Sequence, residues 1–141
     1  MNGLKSFEGK DIRMAARVLR LGTSRLENEG LRIGTVRHPP RGVPKNRHAS
    51  ENWYDVWFPL LAPNKATVKI GQRAQSEKDW KVFVRRYEKE MAAPEAARTL
   101  DLLAALSRHA NFSVGCYCAD EARCHRSILR RLLKARGAKV V

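Results

Sequence analysis

The sequence predicts a single α/β domain in which a small, partly parallel sheet is flanked by helices. Short apolar runs with a period of two alternate with longer runs of helical spacing, and segments rich in Gly and Pro separate them. This alternation favours a layered fold with parallel strands. The length of 141 residues suits one domain. We therefore assign residues 12–141 to the domain and residues 1–11 to a flexible N-terminal arm.

The first half of the domain contains two predicted strands. The apolar positions of residues 12–21 fit a strand or a helix, and we interpret them as a strand. Residues 31–36 alternate with a period of two and run into a loop rich in proline, where no regular element can continue. Residues 53–63 form an extended run that contains Trp and Tyr.

The middle of the chain is predicted to be helical after a linker at residues 71–75. Ser76 can cap a helix whose apolar stripe consists of Trp80, Phe83, Val84, Tyr87 and Met91. Pro94 suits the first turn of a second helix, which extends to about His109.

The last third is predicted to contain a buried strand and a helix. The strand spans residues 112–118, and a short turn follows at residues 119–123. The helix spans about residues 123–136, with Gly137 as its C-terminal cap. Residues 138–141 are a candidate closing strand.

The net charge is the strongest compositional signal. The chain has 28 Lys and Arg against 14 Asp and Glu, which gives +14. Such a charge attracts polyanions, although it also serves solubility. No stretch is apolar for the roughly 18 to 20 residues that span a bilayer, and the N-terminus lacks the apolar run of a signal peptide. We expect a cytoplasmic protein with no membrane partner.

Three cysteines lie within nine residues and leave three interpretations open. As a metal site, Cys116, Cys118, Cys124 and His125 would form a Cys₃His set. Against this, structural zinc sites usually use two cysteines spaced by two to four residues, and neighbouring helical residues diverge by roughly 100°. We therefore predict that the purified protein holds no zinc and needs no cofactor.

The second interpretation is a reactive thiol. A cysteine at a helix N-terminus beside Arg and His has its thiolate favoured by the helix dipole and the nearby cations. Cys118 or Cys124 would then be a nucleophile, with His125 as a candidate general acid or base. Cys116 is better explained as a small buried residue.

The third interpretation is an anion site that uses no thiol chemistry. If the strands ending near Val36 and Cys118 are parallel, the residues that follow them meet at one edge of the sheet, beside a helix N-terminus that attracts anions. The candidate ligand-binding residues are Arg37, His38, Arg41, Arg123 and Arg126. We expect Arg37 and Arg126 to bridge one phosphate or carboxylate.

A possible nucleic-acid surface lies on the last helix. Arg123, Arg126, Arg130 and Lys134 are spaced by three or four residues, so they share a helix face. Arg130 and Lys134 are the candidate phosphate contacts, and their binding would weaken steeply with salt. The same pattern is typical of a solvated helix face.

Three motifs together resemble the bacterial domain-of-unknown-function 488 family. They are residues 34–43, the helix Trp80-x-x-Phe83-x-x-x-Tyr87-x-x-Glu90-Met91, and the late strand followed by Cys-His-Arg. The similarity runs over about residues 12–133 and implies a compact α/β domain, with residues 12–21 as a strand. It also implies functional positions at Arg37, Pro39, Cys124, His125 and Arg126. Many relatives have a longer gap before Cys-His-Arg than the five residues after Cys118.

Two functions of different classes follow from these features. The first is a basic cleft at the sheet edge that binds a phosphate-bearing ligand or nucleic acid. The alternative is a thiol- or His-dependent enzyme acting on a small phosphorylated or nucleotide-like substrate. The oligomeric state does not follow from the sequence.

Overall fold

The computed structural model describes residues 14–141, and the predicted arm at residues 1–11 lies outside the described residues. The described chain is an α/β domain, as predicted, with a four-stranded sheet and four α-helices within residues 14–141.

The four strands form one parallel sheet in the order β1-β4-β2-β3. Their bounds are β1 Ala16–Arg20, β2 Leu31–Gly34, β3 Val56–Trp57 and β4 Phe112–Cys116. Every residue of β4 is buried, because β4 lies between β1 and β2. The carboxyl ends of β1, β2 and β4 therefore meet at one edge, which is where open α/β sheets place their ligands.

The four helices connect and cover the sheet. They are α1 Lys65–Arg73, α2 Glu77–Met91, α3 Pro94–Leu106 and α4 His125–Ala135. Short 3₁₀ turns at Lys45–Arg47, Pro59–Leu61 and Glu121–Arg123 lie in the connections. Ser76 caps α2 by accepting a hydrogen bond from the Asp79 amide, as the sequence predicted.

Helix α1 corrects the prediction of a linker at residues 71–75. Asn64 begins the helix by accepting a hydrogen bond from the Thr67 amide, and Gly71 lies inside its last turns. A glycine at this position is typical of a linker, but Gly71 gives Phe83 room to pack. A Cβ at position 71 would lie 2.8 Å from the Phe83 ring. A packing requirement, rather than backbone freedom, therefore explains this glycine.

Several predicted elements end earlier than expected. The strand predicted at residues 31–36 ends at Gly34, and the strand predicted at residues 112–118 ends at Cys116. Residues 138–141 contribute an isolated parallel bridge between Val140 and Ala16 rather than a full strand.

The interior divides into two apolar clusters. The larger one packs α2, α3 and α4 against the sheet, with Leu100, Val114 and Leu129 fully buried. The smaller one lies at the carboxyl edge of the sheet and contains Leu21, Val36, Tyr54, Cys116 and Cys124. Two of the three thiols therefore belong to the core of this edge. Within residues 14–141, no helix has the length and apolar character needed to cross a membrane.

Candidate functional site

A cavity of about 370 Å³ opens where β2 and β4 end, and we call it the thiol pocket. It is bounded by the segments after both strands, by α1 and α2, and by the start of α4. Its lining residues are Val36, Arg37, His38, Pro63, Val68, Gly71, Gln72, Trp80, Phe83, Cys116, Tyr117, Cys118, Arg123, Cys124 and His125.

The thiol pocket brings all three cysteines and His125 together. The Cys116 and Cys118 sulfurs are 3.8 Å apart, and the Cys124 sulfur lies 3.8 Å from His125 Nδ1. The potential ligand atoms of Cys116, Cys124 and His125 all lie within 4.8 Å of one another. Those three residues are buried, whereas Cys118 is exposed at the pocket. Among the described residues, Cys116, Cys124 and His125 form the group that could hold a metal ion, and Cys118 lies beside this group.

The convergence of Cys124 and His125 corrects the argument that they diverge on a helix. Cys124 precedes α4 as its N-cap residue, with extended torsions of φ −135° and ψ 152°. The angle of roughly 100° between helical neighbours therefore does not apply to this pair. The prediction that the purified protein holds no zinc therefore loses one of its two grounds, and the unusual ligand spacing is the other.

Hydrogen bonds between the thiols separate the pKa values of the cysteines. The hydrogen bond from Cys116, followed by contributions from Cys124 and the charge of Arg126, lowers the pKa of Cys118 to about 3. The interaction with Cys118 raises the pKa of Cys116, and burial raises it further. The interaction with Cys116, together with His125, also lowers the pKa of Cys124. Cys118 and Cys124, rather than Cys116, are therefore the cysteines that favour the thiolate form.

The orientation of His125 is fixed by its neighbours. His125 Nε2 lies 2.7 Å from the Thr35 carbonyl oxygen, which only accepts, so Nε2 donates this hydrogen bond. In the neutral ring Nδ1 then has a free lone pair, and Nδ1 is the atom beside Cys124. The Tyr87 ring packs edge-on against the imidazole at 5.4 Å.

The predicted bridge between Arg37 and Arg126 stays a prediction. Arg37 lines the thiol pocket, but its guanidinium donates to the carbonyls of the turn after β3, namely Pro59, Ala62 and Pro63. Arg126 is buried and donates to the Cys118 carbonyl at 2.7 Å. Its Nε has no hydrogen-bond partner among residues 14–141. The two side chains are thus held by different carbonyl groups.

The remaining cationic candidates divide between two places. Arg123 lines the thiol pocket, forms an ion pair with Glu77 and lies over the Trp80 ring at 5.5 Å. His38 lines both the thiol pocket and a neighbouring open groove. Arg41 lines only that groove, which we call the outer groove. The outer groove is lined by Arg20, Leu21, Gly22, Thr23, His38, Pro39, Pro40, Arg41, Trp53 and Tyr117.

The predicted nucleic-acid face on α4 is mostly engaged within the protein. Arg126 is buried, and Arg130 donates two hydrogen bonds to Glu121, at 2.8 and 3.0 Å. Lys134 is exposed. A continuous exposed row of four cations is therefore not formed on this helix.

Sequence reasoning missed the aromatic and α1 walls of the pocket. Trp80 and Phe83 were predicted as core positions, yet their stacked rings, 4.6 Å apart, also form one wall. Val68 and Gln72 line the pocket from α1, a helix whose last part the sequence predicts as a linker. The capping pattern of Asn64 followed by Thr67 was the signal that would have located it.

The domain matches a known protein family. Residues 16–137 match the family model DUF488-N3a, which is described as the active DUF488-N3 subclade. The chain belongs to the DUF488 family. The match covers every strand and helix of this DUF488 domain, including the three cysteines. A search of curated proteins and a search of solved structures each gave no match.

Proposed function

We propose that this DUF488 domain is a thiol-dependent enzyme that acts on a small phosphate-bearing or nucleotide-like substrate in the thiol pocket. The observation that supports this most strongly is the convergence of three cysteines and His125 on one cavity of about 370 Å³. A cavity of this size fits a small ligand. The matching family model is described as an active subclade, which agrees with a catalytic role.

Cys118 is the nucleophile in this proposal. It is the exposed cysteine of the three, while Cys116 and Cys124 are buried behind it. The Arg126 guanidinium holds the Cys118 carbonyl and so fixes the turn that presents the thiol. Cys124 and His125 lie next to each other at the start of α4 and stabilise negative charge on the cluster.

The charge of the pocket favours an anionic substrate. Arg37, His38 and Arg123 line it, and no Asp or Glu of residues 14–141 does so. The stacked Trp80 and Phe83 rings offer an apolar wall for the rest of the molecule. A phosphate group near the cations and a planar group on this wall would fill the cavity.

Selective alkylation of Cys118 tests the proposal. We expect iodoacetamide to modify Cys118 before Cys116 and Cys124, because thiolates react and buried thiols are protected. A saturating nucleoside 5′-monophosphate should slow the modification of Cys118, since both compete for one cavity. Peptide mass spectrometry of samples taken during the reaction gives the rate at each cysteine.

Two variants make the alkylation result specific. Cys118→Ser should abolish the fast modification, and Arg123→Ala should reduce protection by the nucleotide. Arg98→Ala on α3, away from the pocket lining, is the matched control and should leave protection unchanged. A Cys118 rate that no phosphorylated compound alters, or faster modification of Cys116, would contradict the proposal.

A further inference from the structure

We propose that Cys116, Cys118, Cys124 and His125 form a zinc site of the Cys₃His type at the floor of the thiol pocket. The inference shares that pocket with the proposed function but does not depend on any reaction there. It is based on the distances, burial and orientation of the four side chains.

The spacing of three donor atoms, with a fourth beside them, suits a tetrahedral zinc site. Zinc–sulfur bonds of about 2.3 Å place two sulfurs of a tetrahedral site about 3.8 Å apart, and a sulfur and a nitrogen slightly closer. The Cys116 and Cys118 sulfurs are 3.8 Å apart, as are the Cys124 sulfur and His125 Nδ1. Cys116, Cys124 and His125 have their ligand atoms within 4.8 Å of one another. A contraction of these three donors around one ion, with a movement of the Cys118 sulfur towards them, would complete a four-coordinate site.

The His125 imidazole has the orientation that coordination through Nδ1 requires. Its Nε2 donates to the Thr35 carbonyl at 2.7 Å, which leaves Nδ1 as the ligand atom beside Cys124. Metal-bound histidines typically donate their second ring nitrogen to a carbonyl or carboxylate in this way, which fixes the tautomer. The edge-on Tyr87 ring limits rotation of the imidazole. The hydrogen bond and the ring packing that would hold a metal-bound imidazole in place are therefore present in the folded chain.

The backbone explains how an unusual ligand spacing closes into one site. Cys116 is the last residue of β4, so Cys118 lies in the turn beyond the strand and folds back towards it. Cys124 is the extended N-cap of α4, so its sulfur meets the first helical residue, His125. The absence of zinc was predicted for a regular strand through Cys118 and a regular helix through Cys124, and neither is present.

The donor set selects the metal and agrees with the role of Cys118. Thiolate and imidazole ligands in a tetrahedral arrangement favour zinc over magnesium or calcium, which prefer oxygen. A thiol that coordinates zinc is deprotonated. Three ligands are buried and Cys118 faces the pocket, so the ion would hold the exposed sulfur as a thiolate.

Metal analysis of the full chain tests the site. Protein purified under reducing conditions from zinc-supplemented medium should contain one zinc per chain by elemental analysis. Replacement by Co²⁺ should give the absorption bands of tetrahedral cobalt with thiolate ligands. Cys118→Ser, at an exposed position, should fold, release zinc faster to a chelator and weaken the thiolate band.

Variants and controls separate this inference from the proposed function. His38→Ala changes a histidine of the same pocket that lies outside the cluster, and it should retain one zinc per chain. Protein without zinc and without a cobalt–thiolate band would overturn the site, and so would iron or copper in place of zinc. If this zinc-free protein still shows nucleotide protection of Cys118, the proposed function is supported and the metal site is not. Stoichiometric zinc without such protection would support the metal site and contradict the proposed function.

Discussion

Glu29→Gln is expected to lower the free energy of unfolding by about 3–5 kcal/mol, because it leaves a buried arginine without its counter-charge. The Arg32 side chain is fully buried in the sheet, and its Nε and Nη2 each donate to the Glu29 carboxylate at 2.8 Å. Ser113 of β4 donates to the same carboxylate at 2.9 Å. Glu29 therefore links the loop before β2 to the central strand.

Urea unfolding of Glu29→Gln and a surface control measures this loss. Asp101→Asn removes the acid of an ion pair with Arg136 in which the carboxylate side chain is 66% exposed. Such pairs contribute about 0–1 kcal/mol. Equal small effects of the two substitutions would contradict a structural role for the buried pair.

The Glu29–Arg32 ion pair also predicts that acid lowers the free energy of unfolding. Burial alone would raise the pKa of Glu29, but the hydrogen bonds from Arg32, Leu26 and Ser113 and the charge of Arg32 together outweigh burial, and the pKa falls from 4.5 to about 2. A carboxyl whose pKa is lower in the folded state stabilises the protein above its unfolded pKa. This contribution is lost as the pH falls from about 4.5 to about 2. Glu29→Gln should lack that part of the pH dependence, which urea unfolding at several pH values measures.

Leu129→Ala is expected to lower the free energy of unfolding by about 2–5 kcal/mol, since it opens a cavity in a closely packed core. Leu129 lies on α4, is fully buried and packs in the larger apolar cluster. Leu102→Ala on α3 is the matched control, because that side chain is 65% exposed. Its effect should stay within about 0.5 kcal/mol. A comparable loss in both variants would mean that α4 is not anchored through Leu129.

Most of the fold could be predicted from the sequence because the strongest signals, helix caps and apolar periodicity, lie within single elements. The stripe from Trp80 to Met91 and the Ser76 cap predicted α2, and the buried run at residues 112–118 predicted β4, which ends at Cys116. Helix α1 was missed because its Gly71 signalled a break, whereas the reason for that glycine is the distant Phe83 ring. The glycine at position 71 is thus explained by a contact between two helices, which a local sequence pattern does not show.

The sequence named most of the polar residues that line the candidate site, but not how they are arranged. The crowding of three cysteines beside His125 predicted a candidate site, and the parallel strands bring Arg37 to the same pocket. The meeting of Cys124 with His125 depends on the torsions of one capping residue. The capture of the Arg37 guanidinium depends on carbonyls of a turn more than 20 residues away. Neither feature follows from periodicity or spacing.

A crystal structure of the protein with a nucleoside 5′-monophosphate tests the central claim most directly, that the thiol pocket is the site of chemistry. We expect the phosphate near Arg123 and Arg37, the base against Trp80, and the Cys118 sulfur in contact with the ligand. A nucleotide bound in the outer groove beside Arg20 and Arg41, with the thiol pocket free of ligand, would contradict it.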